Sequence, residues 1–440
     1  MIDQPLLQID QLPVALPRAG GHRSPQTAPI PPLSLDFAAG KFHVLAGPAL
    51  PPLGHLLRLI GGFESLAPNP RQERPPQIRL RGRQMQHLPL GARNIASLGW
   101  EPRLFPHLTL GRNIVFPLTH QSADAKRDPG GRNLGDPATA AAGAALRVGL
   151  TAPMLDLYPA DLPMAVQLRG ALARALALSP GLLLLTDPLL ALSGAEAMEF
   201  AQDLRRLQRS LGLTVLCATT RLPAWAPLAD DITVFDAPPA PHIAAEALGP
   251  VLQRGSAEDI YQRPAGLLAA RLGGGVNLLP VEILGRDDIG QETERLRLRC
   301  AIGEPREIAL PLRQVAPALL AAYRDAVAVR PNTLPGYIPS GDIPADEMPR
   351  HYRASLLLRP AAFRPGLGIR RQDCRIDGRI LDRYGDGALL TLQIGVTAGD
   401  GAAAAPLTVT LPAPAPFPLE PGMVLGLGWN LADSHLLPAA

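Results

Sequence analysis

The stretch that decides the fold is residues 42–62, FHVLAGPALPPLGHLLRLIGG. Its first five residues form a short, mostly apolar run that ends at Gly47-Pro48, which is typical of a buried strand entering a loop. Large apolar residues then recur at helical spacing, at Leu53, Leu56, Leu57 and Ile60. The stretch therefore predicts a strand, a loop and a helix in that order.

Three further runs extend this pattern toward residue 240. Leu182–Leu185 is fully apolar, as expected of a parallel strand that is covered on both faces. Thr214–Ala218 and Ile232–Phe235 are rich in β-branched residues, and a helical stripe of alanine and leucine spans 171–176. Strands that alternate with helices predict an α/β layer with a parallel sheet. Ligands of such sheets bind beyond the carboxyl ends of the strands, just after Ala46 and Leu185.

Composition limits the functional classes. The chain has 440 residues, of which 47% are apolar and 18% charged, so it has room for two or more globular domains. The net charge of +3 gives no indication of a nucleic-acid partner. Three widely spaced cysteines favour a reducing compartment and no structural zinc. The N-terminus does not resemble a signal peptide and no apolar run is long enough to span a bilayer, so work at a membrane would require other chains.

The chain contains 50 prolines, and one proline-bounded stretch, Pro241–Pro250, follows a strand-like run. We therefore predict an α/β domain over residues 1–245 and a second domain over 246–440. The second region combines Val/Leu/Ile strands with glycine turns and proline breaks, which is consistent with small β-barrels.

Residues 47–62 resemble, without a gap, the phosphate loop and following helix of ATP-binding cassette (ABC) ATPases from sugar, polyamine and iron importers. Other segments resemble further family motifs in the family's order: 93–118 the region of the glutamine loop, 158–176 the signature loop and its helix, and 182–192 the second nucleotide motif. The resemblance implies a P-loop NTPase-like ABC ATPase domain with a parallel-sheet core. Four C-terminal pieces imply a mostly β accessory domain of the TOBE/OB-like barrel type: 255–264, 277–280, 327–331, and Trp429 with 435–438.

The resemblance also marks the positions that would hold ATP and magnesium, namely Gly47, Leu50, Pro52, Leu53, Gly54, His55, Trp100 and Thr186. A working phosphate loop needs free backbone amides, a lysine, and a serine or threonine hydroxyl for magnesium. Here leucine stands at the lysine position, glycine and histidine stand at the hydroxyl positions, and prolines have no N–H to donate. Histidine is a poor magnesium ligand, so we interpret His55 as a polar cap early in the helix.

The remaining motif positions have also changed. The signature loop at Pro163, Met164, Ala165 and Val166 lacks the serine and glycines that would bind the opposite subunit's phosphate. Trp100 stands for the magnesium-binding glutamine and Thr186 for the magnesium-organising aspartate. Ser193 stands for the aspartate of the next loop, Thr220 for the switch histidine, and Leu16 for the adenine-stacking aromatic residue. Asp187 stands for the catalytic glutamate and is a weak candidate for a general base; the alternative is a cap beyond a strand.

The segment Phe105, Pro106 and His107 resembles the groove in which a permease's coupling helix docks; the alternative is a turn with Phe105 in the core. Three functions follow as hypotheses. The first is a pseudo-ATPase subunit of a bacterial importer. It would be cytoplasmic and peripheral on the inner face of the cell membrane, docked on permease subunits as a homodimer or as a heterodimer with an active ATP-binding subunit. The second is a divergent ATPase that uses Asp187, and the third is a soluble regulatory or scaffold protein that acts through its C-terminal barrels. No cofactor is expected; ATP and magnesium are implied only by the resemblance. The sequence does not reveal the cargo, because the resemblance implies that cargo choice resides in the permease and its binding protein.

Overall fold

The computed structural model describes residues 5–12, 32–64, 75–119, 136–238, 248–288, 294–300, 302, 306–328, 341–342, 353–386, 388–397, 403–415 and 418–439. Leu16, the predicted adenine-stacking position, lies outside these residues. The chain divides into two compact units, Met1–Ala257 and Glu258–Ala440.

Among its described residues, the first unit contains two sheets built from ten strands: β1 (Leu7–Leu12), β2 (Leu33–Phe37), β3 (Phe42–Ala46), β4 (Gln77–Leu80), β5 (Arg83–Gln84), β6 (Ile95–Gly99), β7 (Leu182–Thr186), β8 (Thr214–Thr219), β9 (Asp231–Phe235) and β10 (Val251–Gly255). The smaller sheet is antiparallel with the order β2-β1-β4-β5. The larger sheet has the order β10-β9-β3-β8-β7-β6, and only β10 in it runs antiparallel to its neighbour. The predicted parallel-sheet core is confirmed.

The helices of this unit are α1 (Leu50–Gly61), α2 (Leu110–Thr119), α3 (Pro137–Arg147), α4 (Ala152–Leu155), α5 (Met164–Leu176), α6 (Gly194–Leu211) and α7 (Leu222–Trp225). The apolar stripe of α1 packs into one core with residues of both sheets, including Ile9 of β1 and Leu45 of β3. The helix ends at Gly62, which has φ +80° and bonds back to the last turn, as helix-terminating glycines do. The predicted order of strand, loop and helix is confirmed.

The second unit is mostly β, as predicted. Its strands are β11 (Asn277–Asp288), β12 (Glu294–Cys300), β13 (Arg306–Pro311), β14 (Gly341–Asp342), β15 (Arg353–Leu358), β16 (Arg364–Pro365), β17 (Cys374–Gly385), β18 (Leu389–Gly395), β19 (Leu407–Pro412), β20 (Val424–Trp429) and β21 (Ser434–Pro438). Its helices are α8 (Ala257–Gln262), α9 (Leu267–Leu272) and α10 (Pro317–Ala328). Two antiparallel sheets, β13-β12-β11-β15-β21 and β16-β20-β17-β18-β19, contribute to one apolar core.

Two details differ from the sequence-based expectations. The prediction of a strand at 327–331 is wrong for Val327 and Ala328, which end helix α10, and 329–331 lie outside the described residues. The compact units meet at Ala257 rather than at residue 245, because β10 pairs with β9 and so extends the sheet of the first unit. In the described part of the chain, no helix is both long and apolar enough to cross a membrane.

Candidate functional site

The loop after β3 leads directly into α1, whose first residue is Leu50. The residue before it, Ala49, is extended and offers no side-chain cap. The first amides of a helix are the groups that bind anions, because they have no partner within the helix. Pro51 and Pro52 occupy the second and third positions, so Leu50 alone supplies an N–H there. The amide of Gly47 is also engaged, since it donates to the carbonyl of Thr219 at 3.3 Å.

Leu53, at the lysine position, is fully buried in the core of the first unit. A Cβ added at Gly47 would lie 3.6 Å from Leu53 Cδ1 and 3.6 Å from Phe235 Cβ, so the side chain lies under the loop. The loop therefore covers an apolar side chain where a phosphate loop would present a cation.

The structure brings the two magnesium-related positions, Gly54 and Thr186, close together. A Cβ added at Gly54 would lie 3.6 Å from the methyl carbon of Thr186. Magnesium requires hard oxygen ligands. Helix α1 contains no carboxylate and no serine or threonine hydroxyl that could provide one at this contact.

His55 is buried, and our interpretation of it as a helix cap is wrong. Its Nδ1 lies within ion-pair distance of Glu64, just beyond the end of α1, although without hydrogen-bond geometry. Arg58 donates to the same carboxylate. Burial lowers the pKa of His55, and Glu64 partly opposes this effect. The imidazole therefore connects α1 to the residues that follow the helix.

Asp187 is fully buried directly after β7, and its backbone has φ +36°. Thr219 Oγ1 donates to Oδ2 at 2.7 Å, and Trp225 Nε1 donates to Oδ1 at 3.0 Å. Arg221 Nη2 lies 3.8 Å from Oδ1. We call these four residues the Asp187 network. Asp187 does occupy the cap position before the short 3₁₀ turn Pro188–Ala191, and its carbonyl accepts the amide of Leu190, but its carboxylate bonds to β8 and α7 instead of to the amides of that turn.

The Asp187 network contains three residues that the sequence interpretation missed, Thr219, Arg221 and Trp225. The residue that reaches Asp187 from β8 is Thr219 rather than Thr220, which follows the strand and is half-buried. Thr219 Oγ1 also accepts the amide of Arg221 at 2.9 Å. Burial raises the pKa of the nearby Cys217 thiol, and the charge of Asp187 raises it further. These contacts bind the carboxylate within the protein interior and leave it without access to water.

The other nucleotide-related positions lie at three places in the fold. Trp100 is exposed and directly follows Gly99, which pairs with Thr186, so it belongs to the same edge of the large sheet. The signature residues begin a different helix: Pro163 precedes α5, Met164 is exposed, and Ala165 and Val166 follow in the first turn. Ser193, at the position of the next loop's aspartate, instead begins α6 and donates its hydroxyl to Glu196 at 2.6 Å.

The predicted partner surface is partly exposed. Phe105 is half-buried, with its ring centroid 4.6 Å from that of Phe116 and 5.8 Å from the Arg174 guanidinium carbon, whereas Pro106 and His107 are exposed. Asn113 fixes the turn by accepting from the Phe105 amide and donating to its carbonyl. Phe116 also lines a cleft of about 450 Å³ between α2 and α4, together with Leu108, Arg112, Val115, Leu155 and Asp156. The expected turn is therefore present, with Phe105 half-buried rather than in the core, and the docking role of this segment stays a prediction.

Comparison with known proteins finds relatives of one kind, the ATP-binding proteins of import systems. The chain is 32% identical over 257 residues to a spermidine/putrescine import ATP-binding protein of Pseudomonas fluorescens, covering 57% of this chain and 62% of that protein. It is 34% identical over 258 residues to a sulfate/thiosulfate import ATP-binding protein of Chromobacterium violaceum, covering 57% and 61%. With an Fe(3+) ions import ATP-binding protein of Brucella abortus it shares 28% identity over 308 residues, covering 70% and 78%. Over about three-fifths of its length, the chain is similar to ATP-binding subunits of importers.

The match to these ABC relatives is partial. The chain spans about three-fifths of the length of the first two relatives, and no protein-family model matches it. Among solved structures, a subunit of an ABC transporter complex from Clostridium perfringens superposes with a TM-score of 0.45 at 15% identity, covering 59% of this chain and 92% of that one. The residues at this chain's phosphate-loop positions do not fit magnesium-ATP, because the first turn of α1 supplies one amide and neither a lysine nor a hydroxyl side chain. The cation of α1, Arg58, lies in its last turn and is paired with Glu64.

Proposed function

We propose that this chain is a pseudo-ATPase component of a bacterial ABC importer, one that docks on a membrane permease or regulates it without hydrolysing ATP. It would lie on the cytoplasmic face of the membrane and pair with itself or with an active ATP-binding subunit. The relatives' function in import supports the transporter context. Their cargoes differ, and cargo is not part of the proposal.

The start of α1 carries the pseudo-ATPase part of the proposal. A triphosphate needs several free amides and a neutralising cation, and losing a single such donor already costs about 3–4 kcal/mol of transition-state stabilisation. Pro51 and Pro52 remove two amides, and Leu53 replaces the cation with a buried apolar side chain. The missing amides and the missing cation would all contact the same phosphates, so their combined loss argues against both binding and hydrolysis of ATP.

The second hypothesis, an active ATPase with Asp187 as base, is less well supported. A general base must reach the water that it activates, directly or through one further water. Asp187 is fully buried and both of its oxygens already accept hydrogen bonds from protein donors.

A magnesium-ATP titration by calorimetry, followed by a phosphate-release assay on the purified chain, tests the proposal. The Pseudomonas fluorescens relative serves as the positive control for both measurements. We expect no saturable binding and no phosphate release above the buffer rate, with Asp187→Ala indistinguishable from the wild type. Turnover that Asp187→Ala abolishes would establish the second hypothesis instead.

The docking part is tested by co-purification with the permease encoded nearest to this gene. The exposed ring of His107 and the half-buried ring of Phe105 adjoin the cleft beside α2, so His107→Ala and Phe105→Ala should reduce capture. Met198→Ala, an exposed apolar residue on α6, is the matched control and should capture normally. A stable dimer with no membrane partner would favour the scaffold hypothesis.

A further inference from the structure

Asp187 connects three segments that come from separate parts of the chain. Its backbone amide donates to the carbonyl of Ala218 at 3.0 Å, and its side chain accepts from Thr219 and Trp225. Thr219 in turn receives the Gly47 amide on its carbonyl. The loop after β3, the turn after β7 and the segment after β8 are therefore joined through one buried carboxylate.

The buried environment makes these bonds costly to break. A buried carboxylate that loses a donor pays the desolvation cost of the unpaired oxygen, because no water replaces the lost partner. Asp187 also holds a left-handed backbone conformation, which non-glycine residues keep only when surrounding contacts enforce it. Trp225 is anchored independently, since it is fully buried and its ring lies 6.1 Å from that of Phe42.

We propose that the Asp187 network is a conformational lock that holds the turn Pro188–Ala191 and the segment Arg221–Trp225 in one arrangement whether or not nucleotide is present. The inference rests on the proposed function and deepens it: a subunit that does not hydrolyse ATP would keep these two segments in one conformation and make no nucleotide-driven movement at this edge of the sheet.

Amide hydrogen exchange on the intact chain tests the lock. Thr219→Val removes one donor to Asp187 with little change of shape, but it also removes the acceptor of the Arg221 amide, so for this variant exchange is compared at 188–192 and 222–225. Trp225→Phe removes the other donor alone and keeps an aromatic ring. Each should accelerate exchange in 188–192 and 222–225 by about ten- to hundredfold, the effect of leaving one buried acceptor without its donor. Exchange in the second unit should not change.

Thr214→Val is the matched control. Thr214 is a buried threonine at the other end of β8, and its hydroxyl accepts the amide of Gly40 at 2.8 Å. The control should destabilise its own surroundings and leave 188–192 and 221–225 protected. If all three variants loosen these two segments equally, or if neither Thr219→Val nor Trp225→Phe does so, the lock is wrong.

Wild-type exchange with and without magnesium-ATP separates the two proposals. We expect the two profiles to be the same. Nucleotide-dependent opening of 188–192 or 221–225 would overturn the lock. Binding and hydrolysis of ATP with both segments still protected would overturn the pseudo-ATPase proposal and leave the lock standing.

Discussion

Two neighbouring regions at the carboxyl edge of the large sheet differ in how they depart from nucleotide chemistry. After β3, the first turn of α1 carries no lysine or hydroxyl side chain, and Leu53 is part of the apolar core. After β7, a carboxylate is still present, but Asp187 points into the interior and bonds to Thr219 and Trp225. The first region has lost the donors for a phosphate, while the second retains an acidic group that serves the protein's own structure.

This difference teaches that a retained acidic residue is not by itself a sign of retained chemistry. Burial and hydrogen-bond partners decide what a carboxylate can do, because an enclosed and fully bonded oxygen cannot receive a proton from water. The two regions should accordingly respond differently to substitution. A polar or charged substitution should destabilise the first region, and removal of the carboxylate should destabilise the second.

Leu53→Lys should have the largest effect, because it places a charge without a partner in the core of the first unit. We expect a loss of about 3 kcal/mol or more in the free energy of unfolding of that unit, measured by urea denaturation. Leu53→Met, which nearly conserves volume, should cost less than about 1.5 kcal/mol. Normal stability of Leu53→Lys combined with new phosphate binding would show that this region still tolerates nucleotide chemistry.

Asp187→Ala should have the next largest effect, because it leaves the Trp225 N–H and the Thr219 hydroxyl buried without their acceptor. We expect a loss of about 2–4 kcal/mol in unfolding free energy. Asp161→Ala, the same change at an exposed position, is the control and should be nearly neutral. An unchanged stability for Asp187→Ala would mean that the carboxylate is not structural, contrary to the comparison above.

Ser193→Ala should have a smaller effect, about 0.5–1 kcal/mol at neutral pH, because it removes the residue that begins α6. The Ser193 hydroxyl and amide lower the pKa of Glu196 by donating to its carboxylate. The stability that these bonds contribute is present above the pKa of Glu196 in the unfolded state, and it is lost as the pH falls through the pKa of Glu196 in the folded state. The difference in melting temperature between the wild type and Ser193→Ala should therefore become smaller as the pH falls, as measured by thermal melting across pH.

Ser210→Ala is the control for this measurement, since Ser210 lies in the last turn of the same helix and bonds only to the carbonyl of Leu207 among the contacts described. It should show no comparable dependence on pH. A gap for Ser193→Ala that stays constant into acid would rule out the contribution of Glu196.

The strands and helices of the first unit could be predicted from sequence because their signal is local. The run 182–185 is apolar throughout and is buried throughout, and the stripe on α1 marks its buried face. The predicted domain boundary at residue 245 differs from the division after Ala257, because the sequence of Val251–Gly255 does not indicate that this strand pairs with β9 of the first unit.

The Asp187 network could not be predicted in the same way. Its donors lie 32 and 38 residues away from the aspartate in sequence and reach it from separate elements. The partner of His55 could not be predicted for a related reason. A capping rule considers only the amides at the start of a helix, whereas this side chain contacts Glu64 beyond the helix end. Motif positions show which groups are absent, whereas the use of the groups that remain depends on contacts across the fold.

Trp100→Gln should have the smallest effect and tests whether one family residue can restore binding. Because Trp100 is exposed, we expect a change in unfolding free energy within about 0.5 kcal/mol. We also expect no magnesium-ATP binding by calorimetry, since glutamine at this edge adds one ligand oxygen while Pro51, Pro52 and Leu53 still exclude the phosphates. If this single change produced saturable binding, the apolar region after β3 would not be what separates this chain from its ATP-binding relatives, and the difference between the two regions would need another cause.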